Sequence, residues 1–214
     1  MSKWDEQILV VNRKDLFNDE ENHFYGFLPK EDEKVKKIVD TFVTYEVKRR
    51  GDMEEDRSYK QLIGYALLKD SKTKEVLVYR RLTGGGEARL HGKASVGIGG
   101  HMNEEAGKTI YEMLKVNAAR ELNEEVGVSE EYALENLHFI GLINDDKTEV
   151  GQVHIGVVYE CEVDKDKVEV KEVIKMETGV IEDIDSLVHE FYKKKTNLDI
   201  PESLCKEIDL KMKE

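Results

Sequence analysis

The stretch Arg120-Glu121-Leu122-Asn123-Glu124-Glu125-Val126-Gly127-Val128 lies near the middle of the chain and governs how the rest is interpreted. Read as a helix, it places Glu121, Glu124 and Glu125 at i, i+3 and i+4, so that three carboxylates share one face. Like charges at that spacing repel one another, and a divalent cation removes the penalty. Because crowded carboxylate oxygens suit hard ions, the stretch predicts a site for Mg²⁺ or Mn²⁺.

By itself, an E-x-x-E-E cluster is more typical of an ordinary charged helix surface. The upstream sequence argues for more, because the apolar run Ser95-Val96-Gly97-Ile98 leads into the pair Gly99-Gly100. A helical stretch follows, with Glu112 eight residues before Arg120. In this order the elements resemble the Nudix box, which runs Gly, five residues, Glu, seven residues, then R-E-(apolar)-x-E-E-x-G-(apolar).

The match to this box has one departure. The fitting residues are Gly100, Glu112, Arg120, Glu121, Leu122, Glu124, Glu125, Gly127 and Val128. Eleven residues, instead of five, separate Gly100 from Glu112, so the intervening loop is six residues longer than the family pattern. Counting forward from Gly100 would select Ala106, with Glu104 and Glu105 beside it. We favour Glu112, because a loop absorbs an insertion at less cost than a helix does.

The resemblance implies a fold class of α/β, a Nudix-type α/β/α sandwich with a mixed sheet. The hydrophobic spacing agrees with it and predicts strands on both sides of the central helix. The predicted strands cover 8–11, 61–68, 75–82, 94–98, 137–143 and 152–163. The predicted helices cover 31–45, 108–126, 182–195 and 201–213, and the polar run 48–56 is expected to be a loop.

Three segments follow from these assignments. Residues 1–59 form an N-terminal α+β extension, residues 60–195 the Nudix domain, and residues 196–214 a C-terminal helix. The extension resembles the leader of a bacterial subgroup of the family. Three roles are open for this extension: forming a homodimer, covering the site, and contacting the substrate. The sequence does not choose among them.

Composition bounds the partners and the compartment. The formal charge of −13 over 214 residues argues against nucleic acid or an anionic membrane as the main partner. No apolar run approaches the roughly 20 residues that span a membrane. The start lacks the basic and apolar regions of a signal peptide, and two cysteines, Cys161 and Cys205, are too few for a disulfide framework. We therefore expect a cytoplasmic protein.

The resemblance implies a metal-dependent hydrolase that cleaves a pyrophosphate linkage in a nucleoside diphosphate-linked or related phosphorylated small molecule. Glu124 and Glu125 are the first choices as metal ligands, and Glu121 is an additional ligand or the base. Arg120 is expected to steer a glutamate through an ion pair. Glu112 completes the predicted side-chain ligands, and the Gly100 carbonyl, in a backbone that can approach an ion closely, is predicted to add an oxygen.

Further candidates lie outside the box. Arg80 and Arg81 end a strand, and one of them is predicted to bind a phosphate through its planar fork, since alternation sends the two side chains to opposite faces. A later base or ligand is left open among Glu149, Glu172 and Glu177. His154 is more typical of a structural residue, whereas His101, directly after the glycine pair, is the stronger candidate of the two histidines.

Two alternatives to hydrolysis come from other classes of protein. One is a non-catalytic sensor of a nucleotide-like ligand, which usually loses box glutamates that are intact here. The other is an isoprenoid diphosphate isomerase, which needs a thiol ahead of the box. No cysteine occurs between Arg80 and Gly100. The sequence does not identify the substrate, because specificity lies in loops and extensions.

Overall fold

The structure is a computed structural model that describes residues 2–74, 76, 79–81, 94–164, 168 and 174–176, with backbone alone at 79–81, 94–95 and 174–176. The strands are β1 (Gln7–Asn12), β2 (Gly26–Pro29), β3 (Glu46–Arg49), β4 (Tyr59–Asp70), β5 (Tyr79–Arg81), β6 (Ala94–Ser95), β7 (Gly97–His101), β8 (Leu137–Asn144), β9 (His154–Val163) and β10 (Ile174–Met176). The helices are α1 (Arg13–Leu16), α2 (Glu33–Asp40), α3 (Arg50–Met53), α4 (Ile110–Val126), α5 (Glu130–Asn136) and α6 (Glu149–Val153).

A seven-stranded sheet organises most of these elements. Its order is β2-β8-β9-β4-β1-β3, and β7 also pairs with β4. The register places Leu28 opposite Leu142 and Val10 opposite Gln61. The sheet is mixed and has helices on both sides, which confirms the predicted α/β class. A separate three-stranded sheet has the order β10-β5-β6.

The chain divides into two compact units. The first draws on residues up to 65, 99–118 and 139–159, and the second on 66–98, 119–138 and 160 onwards. No observation tests the segment boundaries expected from the sequence, which stay predictions. Among the described helices, none is long and apolar enough to cross a membrane.

Helix α4 is the predicted box helix, and its buried side chains recur at helical spacing. They are Ile110, Met113, Leu114, Ala118, Leu122 and Val126, each at most 4% exposed. Burying such a stripe contributes roughly 1.5–3 kcal/mol for each large apolar side chain, so this face fixes the helix in place. The opposite face is left to the charged residues of the box.

The prediction of a loop over the polar run 48–56 is wrong for residues 48–53. These residues continue β3, which pairs with β1 through Gln7 and Arg49, and then form α3. The charges are compatible with structure because they are paired: Arg49 bonds Asp5, and Arg50 bonds Glu6. Sequence spacing also missed four short elements: the strand β2, of four residues, and the helices α1, α5 and α6, of four to seven residues. The predicted helices 182–195 and 201–213 lie outside the described residues.

A partly buried ion cluster fastens the N-terminal segment to the loop before α6. Asp146 accepts hydrogen bonds from Lys60 at 2.6 Å and from Arg13 at 3.0 and 2.8 Å, and it contacts His23 at 2.5 Å. Burial alone would raise the pKa of Asp146, but the bonds from Arg13, Lys60 and His23 hold that pKa well below its usual range. Burial lowers the pKa of Lys60 to about 8, although Asp146 opposes the shift. We call these four residues the Asp146 cluster.

Candidate functional site

Helix α4 has a capping box at its start and a glycine at its end. Thr109 donates from its backbone N–H and its hydroxyl to Oε2 of Glu112, at 2.7 and 2.8 Å, and Oγ1 of Thr109 accepts from the Glu112 N–H at 3.4 Å. This reciprocal pair satisfies amides that a helix start leaves open. At the other end Gly127 takes a φ of 72° and donates to the Asn123 carbonyl. This is the left-handed backbone conformation that a glycine takes directly after the end of a helix.

The capping contact gives Glu112 a role that sequence counting did not foresee. Hydrogen bonds from Thr109 hold the pKa of Glu112 below its usual range, and the side chain is exposed. Thr109, in the [ST]-x-x-[DE] pattern of a capping box, was the signal for this role. The assignment of Glu112 as a metal ligand stays a prediction.

The box glutamates differ in how far they are buried. The side chain of Glu121 is 14% exposed and that of Glu124 is 56% exposed. Glu125 is partly buried, and its Oε2 is shielded from solvent. Nη1 of Arg120 lies 2.8 Å from Oε1 of Glu121 and 3.0 Å from Oε2 of Glu124. One guanidinium thus bridges two box carboxylates, in line with the positioning role predicted for Arg120.

This set of donors fits a hard divalent cation. Three carboxylates stand within one and a half turns of helix, and a single arginine within the same stretch offsets one of their charges. The chemistry is that of Mg²⁺ or Mn²⁺ sites, which use carboxylate oxygen. The carboxylate oxygens of Glu121, Glu124 and Glu125 do not all lie within 4.8 Å of one another.

The glycine pair ahead of the helix lies in β7. A Cβ on Gly99 would stand 2.0 Å from the backbone oxygen of Gly64, so no other residue fits there without moving the backbone. Close approach of two strands therefore accounts for Gly99. The predicted role of the Gly100 carbonyl as a metal ligand is untested and stays a prediction.

The lengthened loop after β7 is tied down at several points. Asn103 and Asn117 bond reciprocally, with the Asn103 N–H donating to Oδ1 of Asn117 and Nδ2 of Asn117 donating to the Asn103 carbonyl, both at 2.9 Å. Asn103 also donates to Oε1 of Glu6, and the Tyr45 hydroxyl donates to Glu104. The additional loop residues thus bind the N-terminal segment, which the box pattern could not indicate.

The structure describes the remaining candidate site residues only in part. Arg80 and Arg81 lie in β5, opposite Lys175 and Ile174 of β10, with only their backbone described. Glu149 begins α6, whereas Glu172 and Glu177 lie outside the described residues. The predicted phosphate contact and the choice of a later base stay predictions.

The two histidines meet each other. Nε2 of His101 lies 3.2 Å from Nε2 of His154 and 2.9 Å from Oε1 of Gln61. Burial lowers the pKa of His101 well below its ordinary value, with a further contribution from His154, and burial also lowers the pKa of His154. Glu54 stands beside the pair, and nothing in the sequence distinguishes it from the other charged residues of its run.

Comparison with known proteins agrees with the box. No protein-family model matches the chain. Protein YmaB of Bacillus subtilis (strain 168) is 45% identical over 175 residues, which are 80% of this chain and 83% of YmaB. The crystal structure of Tm1382, which is assigned to the Nudix hydrolases, superposes with a TM-score of 0.63 at 30% identity, covering 85% of this chain and 89% of Tm1382.

That match covers nearly the whole of the solved structure, and the box glutamates and their arginine stand on one helix as the family pattern requires. The resemblance, the α/β/α Nudix fold and the pyrophosphohydrolase class expected from the sequence are thereby confirmed. The chain belongs to the Nudix hydrolase family.

Proposed function

We propose that Glu121, Glu124 and Glu125 hold a divalent cation, and that the protein hydrolyses a pyrophosphate linkage in a nucleoside diphosphate-linked or related phosphorylated small molecule. One observation carries the proposal: a single guanidinium, that of Arg120, bridges Glu121 and Glu124 on one helix, and the Glu124 side chain is 56% exposed. An ordinary solvated helix has no need for so many carboxylates on one side.

The role proposed for each of the three glutamates follows from how exposed its side chain is. Glu124, the most exposed of the three, and Glu125 are proposed as ligands, with Glu121 as a further ligand or the base. Arg120 positions Glu121 and Glu124 and reduces their mutual repulsion. A divalent ion bound there supplies charge neutralisation at the phosphates and a lowered pKa for water. Hydrolysis of this kind depends on positioning and electrostatics more than on covalent chemistry by the protein.

The experiment compares Glu124→Gln with Glu135→Gln, an exposed glutamate on the neighbouring helix α5. Each is assayed with Mg²⁺ and with Mn²⁺ on nucleoside triphosphates, dinucleoside polyphosphates, nucleotide sugars and dinucleotide cofactors. We expect Glu124→Gln to lose roughly 10²- to 10⁴-fold in rate, because it keeps the shape and deletes one ligand charge. Glu135→Gln should match the wild type, and both variants should keep the wild-type melting temperature.

Other outcomes identify the alternatives. Wild-type turnover that persists in excess chelator would sink the metal proposal. Binding of a nucleotide-like ligand without release of product would favour the sensor, and rearrangement of an isoprenoid diphosphate would favour the isomerase. A cytoplasmic location and a homodimer stay predictions.

A further inference from the structure

Outside the box, one group of side chains has the composition of a transition-metal site. Among the described residues, Glu54, His101 and His154 are the one set of three acidic, histidine or cysteine side chains whose donor atoms all lie within 4.8 Å of one another. None of them belongs to the box. They come from the residue after α3, the end of β7 and the start of β9, so distant segments converge on one point.

The spacing of the two imidazoles suits a shared ion. Two nitrogens that each lie about 2.0–2.1 Å from one Zn²⁺ at the tetrahedral angle are about 3.3–3.4 Å apart. The Nε2 atoms of His101 and His154 are 3.2 Å apart. The same distance also suits a hydrogen bond between the rings, so the surrounding contacts have to distinguish the two.

One of those contacts orients the ring of His154 as a metal ligand is oriented. Nδ1 of His154 lies 2.7 Å from the Val150 carbonyl, to which it can only donate, and in a neutral ring this leaves the lone pair on Nε2. Metal-binding histidines almost always donate their second ring N–H in this way. Nε2 of His101 faces two acceptors, Oε1 of Gln61 and Nε2 of His154, and so carries the hydrogen when no ion is bound. Binding an ion requires that this hydrogen move to Nδ1.

A fourth donor atom, an oxygen of Gln61, lies beside the rings, and further hydrogen bonds hold the surrounding residues in place. Oε1 of Gln61 lies 2.9 Å from Nε2 of His101, while Nε2 of Gln61 donates to the Met53 carbonyl, which fixes the direction of the amide. Arg50 reaches Oε1 of Glu54 at 3.4 Å and holds that carboxylate beside the rings. Lys60 donates to the His154 carbonyl at 3.2 Å and anchors the start of β9.

We propose that His101, His154 and Glu54 bind a zinc-class divalent ion at a site separate in its ligands from the box, with Gln61 or water in the fourth position. Imidazole nitrogen favours such ions, whereas the all-carboxylate box favours Mg²⁺ or Mn²⁺. Because the ligands come from distant segments, the ion ties the segment after α3 to two strands and stabilises the first unit.

The test titrates Zn²⁺ into the chelator-treated full chain in excess Mg²⁺, by calorimetry and by the shift in melting temperature. We expect one Zn²⁺ per chain and a higher melting temperature. His101→Gln and His154→Gln should each weaken Zn²⁺ binding by at least about 10- to 100-fold, the range seen when even outer partners of a metal are removed. His138→Gln, at an exposed histidine, and Glu124→Gln in the box should bind Zn²⁺ as the wild type does.

A second measurement covers variants that fail to fold. Co²⁺ bound to the wild-type chain by two imidazoles and a carboxylate should give a strong visible absorption band, which Zn²⁺ should remove by competition. Glu54→Gln, at a partly exposed position, should weaken that band. A wild-type chain that takes up no Zn²⁺ and gives no band would overturn the proposal, as would equal Zn²⁺ affinity in the wild type and the double variant His101→Gln/His154→Gln.

Discussion

The Asp146 cluster and the box helix hold their charges in opposite ways. In the Asp146 cluster one carboxylate receives hydrogen bonds from Arg13 and Lys60 and contacts His23, and the Lys60 side chain is fully buried. In the box, one arginine serves two of three glutamates, and Glu124 is more than half exposed. In the first arrangement two protein cations, Arg13 and Lys60, serve one carboxylate, and Arg13 also bonds Glu20. In the second, a single arginine is shared by two of three carboxylates.

The difference separates a structural cluster from a binding site. A carboxylate surrounded by protein cations has its charge offset within the protein, and its burial makes each partner costly to remove. An accessible excess of carboxylate leaves charge that a cation from solution can offset. The balance of charge and the burial of each group therefore say more about function than the number of charged residues does.

The largest effect should follow when the structural cluster loses its carboxylate charge. Asp146→Asn leaves Lys60 buried with a neutral partner, so we expect a loss of about 3–5 kcal/mol in the free energy of unfolding. Chemical denaturation at pH 7 measures it. Asp40→Asn, at an exposed carboxylate paired with Lys36, is the control and should be nearly silent. Equal losses in the two variants would break the distinction between a carboxylate that pairs with a buried lysine and one that pairs with an exposed lysine.

The box and the Asp146 cluster were not equally predictable from sequence. The box was found because its residues are near neighbours on one helix, where i, i+3 and i+4 spacing fixes the geometry. The partners of Asp146 are 133, 123 and 86 residues away in the chain, so no local pattern joins them. Glu54, His101 and His154 are separated in the same way, and their meeting depends on strand pairing.

The secondary structure was likewise predictable from sequence only in part. Long periodic segments such as α4 and β9 were predicted to within two residues at each end. Short elements were missed or assigned as loop, because one turn of helix or a four-residue edge strand carries too little periodicity. Charged segments such as β3 and α3 were assigned as loop because ion pairs between distant residues are invisible in the sequence.

The second prediction concerns how the stability that Asp146 contributes depends on pH. The pKa of Asp146 in the folded protein lies below its ordinary value of 3.8, so this group adds stability above about pH 3.8. That contribution is lost as the pH falls through the folded pKa, because the unfolded chain then binds the proton more readily. We expect the stability gap between wild type and Asp146→Asn to narrow as the pH falls below about 4. A gap that stays constant from pH 7 to pH 3 would contradict the ionic role of Asp146.

The third prediction concerns the arginine that is expected to bind a phosphate of the substrate. Arg80→Lys and Arg81→Lys each keep the charge and remove the planar fork. We expect one of them to lower kcat/KM roughly 5- to 10-fold, about the worth of one lost hydrogen bond, and the other to be nearly silent, because successive strand residues face opposite ways. Steady-state kinetics on the best substrate measure this, and equal negligible effects would remove the phosphate contact.

The smallest effect concerns the start of α4, where one glutamate has two candidate roles. Thr109 and Glu112 bond each other, so Thr109→Ala and Glu112→Gln disturb the same cap. Thr109→Ala should cost about 0.5–2 kcal/mol in the free energy of unfolding, the usual worth of a helix cap.

The rate then distinguishes capping from metal binding. On an ideal helix, Glu121 follows Glu112 after about two and a half turns. The side chains of Glu112 and Glu121 therefore lie on opposite faces. A capping role alone predicts that Glu112→Gln changes stability in the same direction as Thr109→Ala, with kcat and the Mg²⁺ dependence unchanged in both. A fall in kcat confined to Glu112→Gln and relieved by higher Mg²⁺ would instead make Glu112 a ligand, because Thr109→Ala removes the cap and leaves the carboxylate in place.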